Sequence, residues 1–202
     1  MAELVALPRF IVPHFALSRF ALPRWAGRAG LAVAGLLLAA GAPADPVPVL
    51  LDKLRTAPTA QQAEALEQQI VAAWQAAVTP SVRLLADRAM ASLQRQDPRT
   101  AIGDLDAALD LQPEAAELWR QHAEARFANG DRRGALADLA QALSREPRSF
   151  PALADLSHFA ETMHDYARAL TAWQSLLAID PHVNQGSARL TVLQGKISGQ
   201  PL

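Results

Sequence analysis

Three prolines at a fixed interval constrain the fold of this chain more than any other feature. Pro113, Pro147 and Pro181 follow one another at steps of 34 residues. In that register three segments of equal length align, 82–115, 116–149 and 150–183. Further columns coincide, namely Asp97, Asp131 and Asp165, then Ala101, Ala135 and Ala169, then Leu109, Leu143 and Leu177. A repeat of this length predicts one supersecondary unit that is stacked several times.

Each segment reads as two helices separated by a polar turn. The turns "QDP", "GDR" and "HDY" each place an Asp where a helix N-cap belongs. Pro98 follows the first of these, at a helical position where a missing N–H costs nothing. Half of the residues are hydrophobic and only 5% are aromatic, so a core must consist mainly of Ala and Leu. That composition favours packed helices over a sheet, and the predicted fold class is all-α.

These segments resemble the tetratricopeptide repeat family, whose pattern is W-x₂-L-G-x₂-Y, then A-x₃-F, then P. The bulky opening position holds Leu85, Trp119 and Leu153, and the Gly position holds Ala89, Ala123 and Ser157. The A-x₃-F pair appears as Ala101/Leu105, Ala135/Leu139 and Ala169/Trp173. The Tyr position departs from the pattern, with Ser92, Arg126 and Ala160. The resemblance implies an α-solenoid of about three helix pairs in residues 82–183.

The segments on either side of the repeats also predict helices. Residues 45–81 offer a short helix from Val47 to Arg55 and a longer one from Thr59 to Val78, with an apolar stripe at Leu66, Ile70, Trp74 and Val78. In residues 184–202, one helix face carries Leu190, Leu193 and Ile197. Terminal repeats of a solenoid need such covers, so we expect a capping helix at each end.

Residues 1–44 have the composition of a secretory leader. Four arginines face a single acid in the basic part, residues 1–28, and this part contains the near-repeat "ALPRFIVPHFALSRFALPRW". The apolar core, residues 29–40, is shorter than the roughly 20 residues that a membrane span needs. Ala42-Pro43-Ala44 then supplies a small-residue cleavage site. The sequence thus predicts a Sec-type signal peptide that is cleaved after Ala44, and a periplasmic or secreted protein.

Three other interpretations of the leader stay open. An organelle presequence is also Arg-rich and poor in acids, although the prolines oppose its amphipathic helix. A gene start placed too far upstream would explain the length. An uncleaved leader would tether the protein to a membrane.

Composition and spacing predict no catalytic residues, no cofactor and no metal. The chain has no Cys, which excludes disulfides, thiolate metal sites and a Cys nucleophile. His158 and His164 are six residues apart and do not share a helix face, so a pair of histidine ligands on one helix is absent. No Gly-rich phosphate loop and no G-x-S-x-G motif occurs. A net charge of −1 gives no reason to expect a nucleic acid partner.

The resemblance implies that the first helices of the pairs line a groove for a peptide or a partner helix. By helical phase, the predicted groove residues are Arg83, Asp87, Met90, Arg120, Glu124, Phe127, His158 and Glu161. Phe127 and Arg120 are the expected anchors, because aromatic and Arg side chains dominate interface hot spots. Family members that bind chaperone tails hold a terminal carboxylate with Lys and Asn, but Ala86 and Met90 occupy those places. That ligand is therefore not expected.

The predicted function is that of an exported, non-catalytic interaction module or assembly scaffold with a protein or peptide partner. The alternatives are a membrane-tethered adaptor that retains its leader, and an enzyme with an unrecognised site.

Overall fold

The computed structural model describes residues 45–199, and every secondary-structure element in this range is a helix. The helices are α1 Val47–Arg55, α2 Ala60–Ala76, α3 Pro80–Gln94, α4 Pro98–Leu111, α5 Ala116–Ala128, α6 Arg132–Arg145, α7 Phe150–Thr162, α8 Tyr166–Ile179 and α9 Gly186–Ser198. The predicted all-α fold is confirmed. The predicted leader and its cleavage site after Ala44 lie outside the described residues. Across residues 45–199, none of the helices combines the length and the hydropathy of a membrane span.

The repeats form three helix pairs, α3–α4, α5–α6 and α7–α8, whose members pack chiefly against each other. The second helix of each pair begins at a capping Asp, as the turn sequences predict. The carboxylates of Asp97, Asp131 and Asp165 accept the backbone N–H three residues later, at 3.2, 2.9 and 3.1 Å. Such caps stabilise a helix by about 1 kcal/mol each.

Small side chains lie where the two helices of a pair meet. Ala101, Ala135 and Ala169 have no exposed surface. The Gly position of the repeat pattern is equally buried, since Ala89, Ala123 and Ser157 also have none. Larger side chains at such contacts would push the helices apart and cost roughly 1–3 kcal/mol.

The turn inside each pair uses a left-handed residue at the same repeat position. The φ angles are +61° at Gln96, +86° at Gly130 and +61° at His164, again at steps of 34 residues. Only the second repeat has glycine there. The first and third repeats accept the steric cost of a Cβ, about 1 kcal/mol, to keep the same chain reversal.

The last helix, α9, covers the end of the third repeat. Leu193 has no exposed surface and packs with Trp173 and Leu176, as expected for a cap. At the start of α9, a Cβ on residue 186 would stand 2.7 Å from a terminal methyl group of Leu177, so any residue other than Gly186 would require that methyl group to move. Of the predicted apolar face, however, Ile197 is 49% exposed and lies outside this core.

The α1–α2 hairpin adopts a position that the repeat period does not predict. At its end, Val78 packs against the first repeat, as a cap would. The rest of the hairpin forms a core of its own, with Leu51, Leu54 and Ile70 almost fully buried. This core extends to two residues of the third repeat, Phe150 and Ile179. The expected cap on the first repeat is therefore only part of the arrangement.

Polar contacts also tie the hairpin to the end of the second repeat and to the third. The guanidinium of Arg148 lies 2.9 Å from the carboxylate of Asp52. Nε2 of His182 lies 2.8 Å from the carbonyl oxygen of Ala57, to which it donates. The hairpin thus connects the two ends of the described repeats.

Candidate interaction face of the first helices

The first helices of the three pairs, α3, α5 and α7, lie side by side, since α3 contacts α5 and α5 contacts α7. We call this surface the first-helix face. All eight predicted groove residues lie on these helices. Their contacts divide them into four groups.

The first group surrounds Arg120, the expected polar anchor. Its guanidinium donates to both carboxylate oxygens of Glu117, at 2.6 and 2.9 Å. It also donates to Asp155 on α7 at 2.8 Å, and Glu124 lies 3.7 Å away. Since only 16% of its side chain is exposed, Arg120 joins α5 to α7 and is not open to a partner. The structure therefore corrects the role that we expected for this residue.

Electrostatic interactions hold Arg120 and its carboxylate partners in place on the first-helix face. Burial opposes the charged form of Arg120, yet the hydrogen bonds and charges of Glu117 and Asp155 raise its pKa above the ordinary value. Burial raises the pKa of Asp155 despite its contact with Arg120, and burial likewise raises the pKa of Glu124. Removing Arg120 would leave three carboxylates close together without a counter-charge, which is strongly unfavourable.

The second group contains the apolar and aromatic side chains. The ring of Phe127 stacks on that of Phe159, with centroids 3.8 Å apart and planes 4° from parallel. The exposed His158 lies beside both rings, with centroids 6.2 Å from Phe127. Met90 on α3 is half-buried. Phe127 thus contributes to the core between α5 and α7 as well as to the surface.

The third group, Arg83 and Asp87 on α3, lines a cavity. Both side chains are exposed, and the cavity is closed on one side by the end of α2. Nη2 of Arg83 donates to the carbonyl oxygen of Gln75 at 2.7 Å, which holds α2 against α3. Among residues 45–199, Asp87 takes part in no ion pair.

The fourth group is Glu161 alone, which α9 engages. Its carboxylate pairs with Arg189 at 2.9 Å and with Lys196 at 2.8 Å. The hydrogen bond from Lys196 lowers the pKa of Glu161 below its ordinary value. Glu161 therefore holds the C-terminal cap in place.

Several residues of this face were missed in the sequence. Glu117 and Asp155 complete the Arg120 cluster, while Trp74 and Gln121 line the cavity beside Asp87. Glu117 stands three residues before Arg120, a spacing that indicates a contact on a helix. Asp155 lies 35 residues after Arg120, one repeat and one residue further, which suggests contact between neighbouring first helices. No comparable signal marks Trp74.

Comparisons with known proteins agree with this geometry. No protein-family model matches the chain. A TPR repeat-containing protein of Rhizobium etli is 25% identical over 161 residues, which cover 80% of this chain and 79% of that protein. The first TPR domain of Spaghetti (RPAP3), bound to the HSP90 peptide SRMEEVD, superposes with a TM-score of 0.56 at 14% identity over 60% of this chain and 98% of that one. The TPR2B domain of yeast Sti1 in complex with an Hsp70 peptide gives 0.53 at 21% identity, over 61% and 100%.

The described residues therefore have the fold of a tetratricopeptide repeat domain, and the chain is similar in sequence to a tetratricopeptide repeat protein. One position of the tetratricopeptide pattern is occupied in an unusual way. The Leu of W-x₂-L-G corresponds to Arg88, His122 and Leu156. In the first repeat, Arg88 pairs with Asp104 on the second helix at 2.9 Å.

The second repeat buries a related pair at this tetratricopeptide position. Nδ1 of His122 lies 3.0 Å from the carboxylate of Asp138, and both side chains are at least 95% buried. Arg126 approaches the same carboxylate at 3.4 Å, and Asp106 lies 3.3 Å from Nε2 of His122. Two of the three repeats thus join their helices through charged or polar groups where the pattern calls for an apolar contact.

Proposed function

We propose that this protein is an exported, non-catalytic interaction module that holds a peptide segment or a partner helix on its first-helix face. The observation that carries the proposal is the chemistry of that face. Exposed polar side chains, Asp87 and His158 among them, alternate with half-buried apolar ones such as Met90 and Phe127. Such a mixed surface suits an amphipathic helix or an extended segment better than a highly charged polymer.

The comparisons support the same kind of partner. Two tetratricopeptide domains of similar fold are seen with peptides, one from HSP90 and one from Hsp70. The places of the carboxylate-binding Lys and Asn hold Ala86 and Met90 here, so we expect a peptide that is recognised along its length and not by its terminal carboxylate. Export is supported by the composition of residues 1–44.

A matched pair of variants in the third repeat tests the binding face. His158 on α7 belongs to the first-helix face, whereas Gln174 on α8 is exposed on a second helix. We expect His158→Glu to weaken binding of a purified partner about tenfold, which corresponds to 1.4 kcal/mol. Gln174→Glu, which adds the same charge, should bind like the wild type. Partners would be recovered by crosslinking and affinity purification of the full chain. Equal partner affinity in both variants would show that the binding site is not on the first-helix face.

Export has a separate test. Cells that express the full chain would be fractionated, and the terminus of the protein would be determined by mass spectrometry. We expect a protein that begins at Asp45 in the periplasm or the medium. An intact Met1 on protein in the cytoplasmic fraction would contradict export but not binding.

A further inference from the structure

A cavity of about 220 Å³ lies at one end of the first-helix face, between α2, α3 and α5. Its walls are apolar on three sides. Trp74 and Val78 come from the end of the hairpin, Ala86 from α3 and Leu118 from α5. Because α2 supplies one wall, this cavity exists only when the hairpin is in place.

Two hydrogen-bond acceptors at the cavity remain open. The amide oxygen of Gln121 is buried and has no donor within residues 45–199, while its nitrogen donates to Glu117 at 3.3 Å. The carboxylate of Asp87 is exposed and has no ion pair in the same range. Nη2 of Arg83, the cation of the lining, donates to the carbonyl oxygen of Gln75. A ligand that satisfies both acceptors must bring donors.

Charge favours a cation over a neutral donor. The neighbouring part of the first-helix face carries four carboxylates, those of Asp87, Glu117, Glu124 and Asp155. Only Arg83 and Arg120 oppose them, so this part of the face has an excess of two negative charges. A positive group that enters the cavity would meet Asp87 and would lie beside the indole of Trp74, and both contacts attract a cation.

The shape selects the rest of the ligand. Apolar side chains beside the exposed carboxylate of Asp87 match an aliphatic stem that ends in a charged head. Lys and Arg side chains have that form. We propose that this cavity takes one Lys or Arg side chain of the partner, so that the partner is a basic segment. This inference rests on the proposed function and names the chemistry of its ligand.

The test uses small probes on the full ¹⁵N-labelled chain. Nα-acetyl-lysine methylamide and Nα-acetyl-arginine methylamide present the two side chains, and Nα-acetyl-norleucine methylamide presents the stem without the charge. The indole N–H of Trp74 reports binding, since the indoles of Trp119 and Trp173 are engaged by the carbonyl oxygens of Pro113 and Gly186. Trp74→Phe assigns the signal.

We expect the lysine and arginine probes to shift the Trp74 signal in a saturable manner, and the norleucine probe to bind at least tenfold more weakly. Asp87→Asn should weaken the lysine probe at least tenfold. Asp110→Asn, an equal charge change at an exposed position of α4, should leave its affinity unchanged. Circular dichroism would verify that both variants are folded.

Three results would overturn the inference. These are equal affinity for the norleucine and lysine probes, an unchanged affinity in Asp87→Asn, and the absence of any Trp74 shift at saturating probe. A partner that binds the wild type and loses affinity in His158→Glu would at the same time uphold the proposed function, so the two failures can be told apart.

Discussion

The second repeat places His122 and Asp138 between its two helices, at positions where the third repeat has Leu156 and Ala172. The two repeats share their helix lengths, their capping Asp and their left-handed turn residue. They differ in what lies around them, because the second repeat is enclosed by other repeats. The third packs α9 on Trp173 and the hairpin on Phe150. The comparison teaches that this backbone accepts a polar or an apolar interior, and that the apolar repeat is the one on which both flanking segments assemble.

The largest expected effect comes from the centre of the third repeat. Trp173→Ala removes a 93% buried ring and the hydrogen bond from its Nε1 to the carbonyl oxygen of Gly186. We expect the free energy of unfolding in urea to fall by about 3–5 kcal/mol. The equivalent change in the second repeat, Leu139→Ala, should cost about 2–3 kcal/mol. A larger loss in Leu139→Ala would reverse the ranking of the two repeats.

The next effect is expected from the polar interior of the second repeat. Asp138→Ala removes a buried carboxylate that accepts a hydrogen bond from Arg126 at 3.4 Å and lies 3.0 Å from Nδ1 of the buried His122. Its cost should be about 2–3 kcal/mol of unfolding free energy. Asp106→Ala is the control, since that carboxylate is 59% exposed although it also lies near His122, and it should change stability by less than about 0.5 kcal/mol. Similar losses in the two variants would mean that burial does not determine how much the interaction of His122 with Asp138 contributes to the free energy of unfolding.

Copying the third repeat into the second sharpens the comparison. The double variant His122→Leu with Asp138→Ala installs the residues of the third repeat and removes both buried polar groups. Its stability should lie within about 1 kcal/mol of the wild type, well above that of Asp138→Ala alone. If the double variant is as unstable as Asp138→Ala, the pair stabilises the fold by more than each polar group's compensation for the burial of the other.

The smallest expected effect concerns pH and the hairpin, whose core packs on the third repeat. Burial, together with the neighbouring carboxyl of Asp180, raises the pKa of Glu67 on α2 to about 7. A raised pKa favours the folded state when Glu67 is protonated, so this contribution is complete below pH 4.5 and is lost as the pH rises through 7.

Between pH 5 and pH 7.5 we expect a loss of roughly 0.5 kcal/mol after allowance for solvent screening. The measurement compares unfolding free energies of the wild type and Glu67→Gln at both values, because the subtraction cancels the contributions of groups that do not interact with Glu67. An identical pH dependence in the two proteins would show that Glu67 does not contribute to the packing of the hairpin on the third repeat.

Much of the fold was predictable because periodic packing leaves periodic residues. The alanines at 101, 135 and 169 and the capping Asp residues report local contacts that recur in each pair. The place of the hairpin was not predictable in this way. It depends on one contact surface, Phe150 with Trp74 at 5.7 Å, that occurs once and repeats nowhere.

The helices that carry the eight predicted groove residues could be identified from the sequence, but the interactions of those side chains could not. Helical phase identified the face, yet the availability of each side chain depends on residues from other helices. Asp155 occupies a guanidinium that we expected to be open, and Lys196 occupies the carboxylate of Glu161. The cavity needs a wall from α2, which lies outside the repeats.

The contacts of the hairpin with the second and third repeats have a consequence for how the chain folds. Solenoid repeats contact their sequence neighbours, and an open array can therefore fray from either end. Here Asp52 and Arg148 are 96 residues apart in the chain, and Ala57 and His182 are 125 apart. Through such contacts, the hairpin that precedes the first repeat also packs against the last one. The hairpin cannot detach without the loss of contacts with the last pair, so the hairpin and the third repeat should unfold together. The chain should also fold more slowly than an open array of equal length, since a long loop must close before these contacts form.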